Sequence, residues 1–272
     1  ASTQVGDITI LAFDKNDKYV DRLDVDSITL HQGYCMVRLP FPEETYHLLI
    51  WGGISGYQYQ LPNLKAGQTE RKSLNISLAC DNKNQFNRKL NALFHSSLEN
   101  ITISEEYQVI TAGLVKNTNY FSCILQDENT LPLRQEDFAF TLESTNGVID
   151  YTNTPVGTTP YRQELSLTSE QIPIIHARLN TLRIMKGDDT TLSIKHTPSG
   201  KTILHLPLTQ YLLLSKNYPN NIGDISDQEY LDREDSYTLM FFIQSSDTGI
   251  PRIPTMKVND WIIRLNDSEL GS

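Results

Sequence analysis

The chain has 272 residues, of which 39% are hydrophobic and 21% charged, and its formal net charge is −10. This composition is typical of a folded globular protein and argues against a nucleic-acid surface, which needs clustered lysine and arginine. No stretch of about 18 apolar residues is present, so the sequence predicts no transmembrane helix. The chain opens on ASTQVGD, without a methionine or a signal peptide, and we expect it to be a mature or shortened form.

Alternation of apolar and polar side chains dominates the first half of the chain and predicts β-strands. The predicted strands cover residues 8–13, 34–39, 48–51 and 74–78. Turn-forming sequences separate them: DKNDK at 14–18, PFPEE at 40–44 and LPNLKAG at 61–67. The first of these turns begins like a calcium-binding EF-hand loop but lacks the later ligand and glycine, so we interpret it as a tight turn.

One segment of the first half has helical periodicity instead. In NQFNRKLNALFHS, four apolar residues fall at i, i+4, i+7 and i+8: Phe86, Leu90, Leu93 and Phe94. This spacing places them on one face of an amphipathic helix, and residues 81–84 offer capping side chains before it. We therefore predict a helix that docks on the core through this face.

A second series of strands begins near Asn119. The predicted strands cover residues 120–125, 138–142, 148–151, 179–185, 192–196, 201–206, 237–243 and 257–265. The dipeptide Asn146-Gly147 predicts a two-residue hairpin turn, and residues 208–214 suit a helix. The stretch SSDTGIPRIP, before the last strand, has the composition of a loop.

Short strands with turns at regular intervals and little helix predict a mainly β fold made of sandwiches. Strands and helices do not alternate, which argues against a doubly wound parallel sheet. A break near residues 112–118 divides the strands into two groups. We therefore predict two tandem antiparallel β-sandwich domains, residues 1–113 and 114–272, with one or two short helices each.

The stretch HLLIWGGISGYQYQLPN, residues 47–63, is the segment most similar to a catalytic motif. A nucleophile elbow needs G-x-S-x-G followed by a helix, but Ser55 is followed by Gly-Tyr and then by a strand-like run. The glycine spacings of phosphate-binding and dinucleotide-binding loops are also absent. We predict that the glycines bend the chain at the sandwich edge and that three residues are core: Leu48, Ile50 and Trp51.

The other reactive side chains form no recognisable motif. The six histidines include no H-E-x-x-H pair, and paired carboxylates such as Glu43-Glu44 lie in turns. The cysteines are Cys35, Cys80 and Cys123, and their odd number argues against a complete disulfide framework. The sequence thus predicts no catalytic residue, no metal site and no cofactor, although a glycosidase with distant carboxylates is kept as a third hypothesis.

Six segments, spread nearly from end to end, carry a resemblance to a known family. In order they are DITILAFDKNDKYV, HLLIWGG, LNALFHS, GLVKNTNYFSCIL, EYLDREDSYTLMFFI and VNDWIIRLND. Together they resemble the fimbrillin-associated anchor proteins of Bacteroidales, the outer-membrane lipoproteins at the base of type V fimbriae.

The resemblance implies two transthyretin-like β-sandwich domains and no enzymatic step. It implies a secreted chain, lipidated on an N-terminal cysteine and held at the surface of the outer membrane. It also implies a fimbrillin-type shaft subunit as the partner. That N-terminal cysteine is missing from this sequence, so we expect the chain to begin after it.

The last predicted strand is our candidate for joining subunits. In such fimbriae a strand of one subunit completes the sandwich of its neighbour, a form of β-strand addition. Trp261, Ile263 and Leu265 lie on one face of this strand, and Ile262 lies on the other. The competing interpretation is a core strand of the second domain with Trp261 packed inside.

A different function is also compatible with the composition. The chain has 13 tyrosines and 2 tryptophans, which could form stacking platforms for sugars as well as fill sandwich cores. The alternative is therefore a carbohydrate-binding β-sandwich lipoprotein of the cell surface.

Overall fold

The computed structural model describes residues 5–26, 28, 33–157, 160–165, 171–217, 225–245 and 249–265. Regular structure within these residues is mostly strand, and the strands form several antiparallel sheets. The predicted mainly β fold class is confirmed.

The strands are numbered in chain order. They are β1 (Asp7–Asp14), β2 (Tyr19–Asp26), β3 (Thr45–Gly52), β4 (Tyr59–Gln60), β5 (Asn75–Leu78), β6 (Phe94–Thr102), β7 (Val115–Lys116), β8 (Thr118–Asp127), β9 (Leu133–Arg134), β10 (Phe138–Ser144), β11 (Val148–Asp150), β12 (Tyr161–Leu165), β13 (Gln171–Ile172), β14 (Ile174–Leu182), β15 (Thr191–His196), β16 (Lys201–Pro207), β17 (Ser236–Gln244), β18 (Arg252–Val258) and β19 (Trp261–Arg264). The helices are α1 (Leu208–Leu214) and α2 (Asp227–Arg233).

The chain packs into two compact units that are interleaved along the sequence. The first unit comprises residues 1–79, 90–118 and 147–156; the second comprises residues 80–89, 119–146 and 157–272. The sequence also predicts that the chain divides into two independently folding domains between residues 113 and 114. This division stays a prediction.

The first unit is built on a five-stranded antiparallel sheet with the order β2-β1-β3-β6-β7. Nearly every residue of β1 and β3 is buried, because both faces of these strands are covered. Ile10 and Leu48 belong to the apolar cluster on one face. Leu11 and Leu49 belong to the other, together with Leu74 beside β5, and β5 is the centre of a three-stranded sheet, β11-β5-β4.

The second unit contains a five-stranded sheet, β14-β8-β17-β18-β19, a four-stranded sheet, β12-β10-β15-β16, and a two-stranded sheet, β13-β9. The two larger sheets bury alternate side chains along their strands, as a sandwich requires. Strands β8 and β17 run parallel, with Tyr120 opposite Ser236. This pair departs from the antiparallel pairing that the sequence predicted.

Both described α-helices belong to the second unit. Helix α1 covers the predicted range and buries Leu208, Tyr211 and Leu212. Helix α2 begins at a capping serine, Ser226, whose hydroxyl accepts a hydrogen bond from the Glu229 N–H. The helical structure in the described part of the first unit is a short 3-10 helix at Arg71–Ser73.

The helix predicted over NQFNRKLNALFHS is wrong, although its four apolar side chains are all buried. The segment is irregular up to Phe94, where β6 begins. Within the first unit, side chains replace the missing helical hydrogen bonds: Gln58 Oε1 accepts from the Asn91 N–H, and the Tyr59 hydroxyl donates to the Asn91 carbonyl, each at 2.6 Å. These partners are remote in sequence, so local periodicity could not reveal them.

Two further predictions of local structure are corrected. Residues 35–39 form no strand, although Cys35, Val37 and Leu39 pack against the core of the first unit as their alternation indicates. Asn146-Gly147 does not close a hairpin, because β11 pairs with β5 and β10 pairs with β12 and β15. Asn146 is buried instead, and its amide donates to the Leu182 and Arg183 carbonyls.

Candidate partner-binding edge

The last strand predicted from the sequence is in fact two strands. β18 and β19 form an antiparallel hairpin in which Val258 lies opposite Trp261. Asn259 and Asp260 connect them, and Asn259 has a φ of 51°, a left-handed conformation that asparagine adopts more readily than most residues. The stretch SSDTGIPRIP is therefore a loop only in part, because β18 already begins at Arg252.

β19 lies at the edge of its five-stranded sheet and pairs only with β18 among the described strands. Trp261 is 39% exposed and Ile262 is 60% exposed. This exposure does not fit the interpretation of the segment as a core strand with Trp261 packed inside.

The backbone of β19 presents hydrogen-bonding groups along the side away from β18, where no described strand pairs with it. A two-residue turn makes Val258 and Trp261 a hydrogen-bonded pair, and such pairs alternate along an antiparallel ladder. The Leu265 N–H donates to the Pro254 carbonyl at 2.9 Å, which fits this alternation. The N–H and C=O groups of Ile262 and Arg264 consequently point away from β18.

The two faces of β19 differ in character. Trp261 and Ile263 lie opposite Val258 and Met256, which are both fully buried, so these two side chains extend the buried face of the sheet to its edge. Ile262 lies on the other face, as the alternation predicts. Leu265 is half-buried just beyond the strand. The part of Trp261, Ile263 and Leu265 in binding a partner stays a prediction.

The hairpin that carries this edge is basic. Arg252, Lys257 and Arg264 make no ion pair with the described residues, and Lys257 Nζ lies 5.7 Å from the ring centre of Phe242. Asp260, in the turn, is the single acidic residue between positions 252 and 265. The edge thus combines open backbone groups, exposed apolar side chains and positive charge.

The stretch HLLIWGGISGYQYQLPN contains no nucleophile elbow. Ser55 is exposed, its N–H donates to the Asp7 carboxylate at 3.2 Å, and the chain then turns into the short strand β4 rather than a helix. Among the described residues, no histidine is hydrogen-bonded to the Ser55 hydroxyl. The predicted core residues Leu48, Ile50 and Trp51 are confirmed as buried.

The predicted bend after this strand is confirmed, and Gly53 shows why it needs glycine. Its φ is 81°, and a Cβ at this position would lie 2.0 Å from the Ala92 carbonyl oxygen. Both the left-handed backbone and the close approach exclude a side chain.

The structure also brings together a charged cluster that the sequence did not reveal: Asp17, His47, Arg71 and Glu99. Arg71 Nε lies 2.8 Å from Asp17 Oδ1, its Nη1 contacts Glu99, and His47 Nδ1 lies 2.5 Å from Glu99 Oε2. Burial disfavours the charged form of Glu99, but its interactions with Arg71, His47 and Ser97 together lower its pKa. These groups bind one another and come from four separate segments, which is why no motif indicated them.

The other features of the described residues offer little chemistry. A shallow depression of about 290 Å³ in the second unit is lined mainly by polar and charged residues, and its tyrosine, Tyr161, is only 3% exposed. No group of three or more His, Cys, Asp or Glu side chains in the described ranges suits a metal ion. The helices described are all too short or too polar to cross a membrane. Burial raises the pKa of the Cys123 thiol to about 12, as expected for a small core residue.

Residues 1–267 match the family described as "Fimbrillin-A associated anchor proteins Mfa1 and Mfa2". The chain belongs to this family. Membership confirms the resemblance seen in the six sequence segments, and it indicates a fimbrial accessory or anchor role at the cell envelope.

One relative is a protein that anchors a fimbrium. The minor fimbrium anchoring subunit Mfa2 of Porphyromonas gingivalis is 25% identical over 185 residues, which cover 65% of this chain and 55% of that protein. The chain therefore spans little more than half the length of this relative.

Solved structures share the fold over nearly the whole chain. A candidate polysaccharide-binding protein of Bacteroides thetaiotaomicron has a TM-score of 0.82 at 21% identity, covering 98% of this chain and 93% of that one. The fimbrial anchor protein Mfa2 of P. gingivalis has a TM-score of 0.75 at 20% identity, covering 97% and 92%. At these levels of sequence identity, the likeness shows that the fold is shared.

Proposed function

We propose that the protein is the outer-membrane anchor of a type V fimbria and ends fimbrial assembly at the base. Membership in the anchor family supports this role, and so does the relative that anchors the minor fimbrium of P. gingivalis. In this proposal the chain forms two transthyretin-like domains, with the boundary near residues 113 and 114. A lipid on a cysteine ahead of the present first residue holds the chain at the outer cell surface.

β19 carries the proposed connection to the fimbrillin-type shaft subunit. A strand that pairs with its open side would form hydrogen bonds with the outward N–H and C=O groups of Ile262 and Arg264, which supply generic affinity. It would also cover Trp261 and Ile263, and the fit of its side chains against them would supply specificity. The exposed edge is the observation on which this mechanism rests.

Binding of the purified shaft subunit to Ile262→Pro and Ile262→Ala variants tests the mechanism. Proline removes the outward N–H but no bond to β18, so the hairpin should survive, whereas alanine removes only the side chain. We expect Ile262→Pro to weaken binding more than about tenfold, the effect of about 1.4 kcal/mol from a lost hydrogen bond and its neighbour, and Ile262→Ala to weaken it less. Wild-type binding by a folded Ile262→Pro variant would contradict strand addition at β19.

Recognition of a carbohydrate is the second candidate function. Tyr57 and Tyr107 are 67% and 86% exposed, and exposed aromatic rings are what a stacking platform for sugars requires. A glycan array distinguishes the two functions. The anchor proposal expects no glycan to bind, whereas a hit that disappears in Tyr107→Ala would favour carbohydrate binding.

A further inference from the structure

We infer that the strand accepted by β19 alternates between apolar and acidic side chains. This inference rests on the proposed function, since it specifies the chemistry of the partner segment at the same edge. It follows from the two faces of β19, which make different demands on a strand placed beside them.

The inner face calls for apolar side chains. Residues of an added strand on this face would lie beside Trp261 and Ile263, which continue the row of buried Val258 and Met256. Trp261 keeps 39% of its surface exposed, and an apolar neighbour would remove much of that area from water. A charged residue there would be desolvated without a partner, which is costly.

The outer face calls for acidic side chains. Residues on this face would lie beside Ile262 and Arg264, with Lys257 and Thr255 one strand further in. Neither Arg264 nor Lys257 has an anionic partner among the described residues. A carboxylate directly beside a cation on a neighbouring strand is stabilising, whereas a like charge in that position is destabilising.

The hairpin is positively charged, whereas the chain as a whole is negatively charged. Residues 252–265 carry three basic residues and one acidic residue, whereas the chain as a whole has a net charge of −10. An acidic partner would therefore be repelled by much of the molecule and attracted at this edge. The charges also disfavour pairing with a second copy of β19, which presents the same basic side chains.

The outer face continues in register across the sheet. Ile124, Met240, Lys257 and Ile262 lie opposite one another in turn on β8, β17, β18 and β19. Three of these four side chains are apolar, and the stem of Lys257 adds a fourth apolar surface. A residue beside Ile262 thus meets an apolar row, while the residue beside Arg264 meets a cation, which fixes where along the partner strand the carboxylate is needed.

Fluorescein-labelled nonapeptides provide a direct test by fluorescence anisotropy on the intact protein. One peptide alternates valine and glutamate, a second alternates valine and lysine, and a third has the composition of the first in scrambled order. We expect the valine-glutamate peptide to bind about tenfold more tightly than the valine-lysine peptide, because a glutamate beside Arg264 forms a cross-strand ion pair whereas a lysine there is repelled. Its advantage should shrink in high salt.

Charge reversal then assigns the preference to this edge. Arg264→Glu should reduce or invert the preference for the acidic peptide. Arg178→Glu is the matched control, because Arg178 is an exposed arginine on β14 at the opposite edge of the same sheet. It changes the net charge equally and should leave the preference unchanged.

The outcomes separate this inference from the proposed function. Equal affinity for the acidic and basic peptides, or equal effects of the two charge reversals, would overturn the inference. If Ile262→Pro still abolishes binding of the shaft subunit in that case, strand addition at β19 stands. If no peptide binds and Ile262→Pro does not affect shaft binding, both fail, and the basic edge only protects against aggregation.

Discussion

The two tryptophan-containing strands of the molecule, β3 and β19, have similar apolar sequences and opposite environments. In β3, Trp51 is fully buried and packs on His95 with ring centres 4.4 Å apart. In β19, Trp261 is 39% exposed at the edge of its sheet. β3 has neighbours on both sides, β1 and β6, whereas β18 is the single neighbour of β19 among the strands that the structure describes.

This difference shows that an apolar run specifies a strand but not its place in the sheet. Burial on both faces requires neighbours on both sides and a covering layer, and these come from parts of the chain far away in sequence. The run in β19 keeps its apolar side chains although no second described strand pairs with it. An exposed apolar edge is a hazard for aggregation, so its presence favours a role in pairing.

Replacement of Trp51 should have the largest effect on stability. We expect Trp51→Ala to lower the free energy of unfolding by about 3–5 kcal/mol, because it removes a large buried side chain and leaves a cavity. Urea denaturation followed by far-UV circular dichroism measures this loss without relying on tryptophan fluorescence. A loss below about 1 kcal/mol, as expected for a surface position, would remove the contrast between the two strands.

Substitution of Gly53, just after β3, tests whether the end of the buried strand tolerates a change as poorly as its centre does. Gly53→Ala should cost about 1–3 kcal/mol from the left-handed backbone alone, and the approach to the Ala92 carbonyl adds to this. Gly56→Ala is the matched control, since its φ is 135° but a Cβ there would meet nothing within 4 Å. Equal losses in the two variants would show that the close approach contributes nothing.

The sequence predicted most strands because their side-chain alternation is local. Leu74, just before β5, and Ile76 and Leu78 within it are all buried, as their spacing indicates. The helix over residues 84–96 was wrong because Gln58 and Tyr59 bind the backbone of Asn91 from a distance. Such long-range satisfaction of backbone groups leaves no periodic signal near the segment it stabilises.

The candidate edge was predictable only in part. Alternation gave the faces of Trp261, Ile262 and Ile263, but the turn at Asn259-Asp260 was missed because the two strands were read as one. The position of β19 at the sheet edge depends on strand order, which one sequence does not show. The charged cluster around Arg71 was not predicted for the same reason, since its members lie on four segments that only the fold brings together.

Trp261→Ala should have the smallest effect on stability and a clear effect on binding. Because the side chain is partly exposed at an edge, we expect the free energy of unfolding to fall by no more than about 1 kcal/mol, a fraction of the loss in Trp51→Ala. Binding of the shaft subunit should weaken by about tenfold or more, since buried aromatic anchors contribute 2 kcal/mol or more at interfaces. Titration of Trp51→Ala and Trp261→Ala with the shaft subunit measures binding, and urea denaturation of the same two variants measures stability. A large loss of stability in Trp261→Ala would mean that this tryptophan already serves the core of its own unit, and β19 would then resemble β3 rather than a strand awaiting a partner.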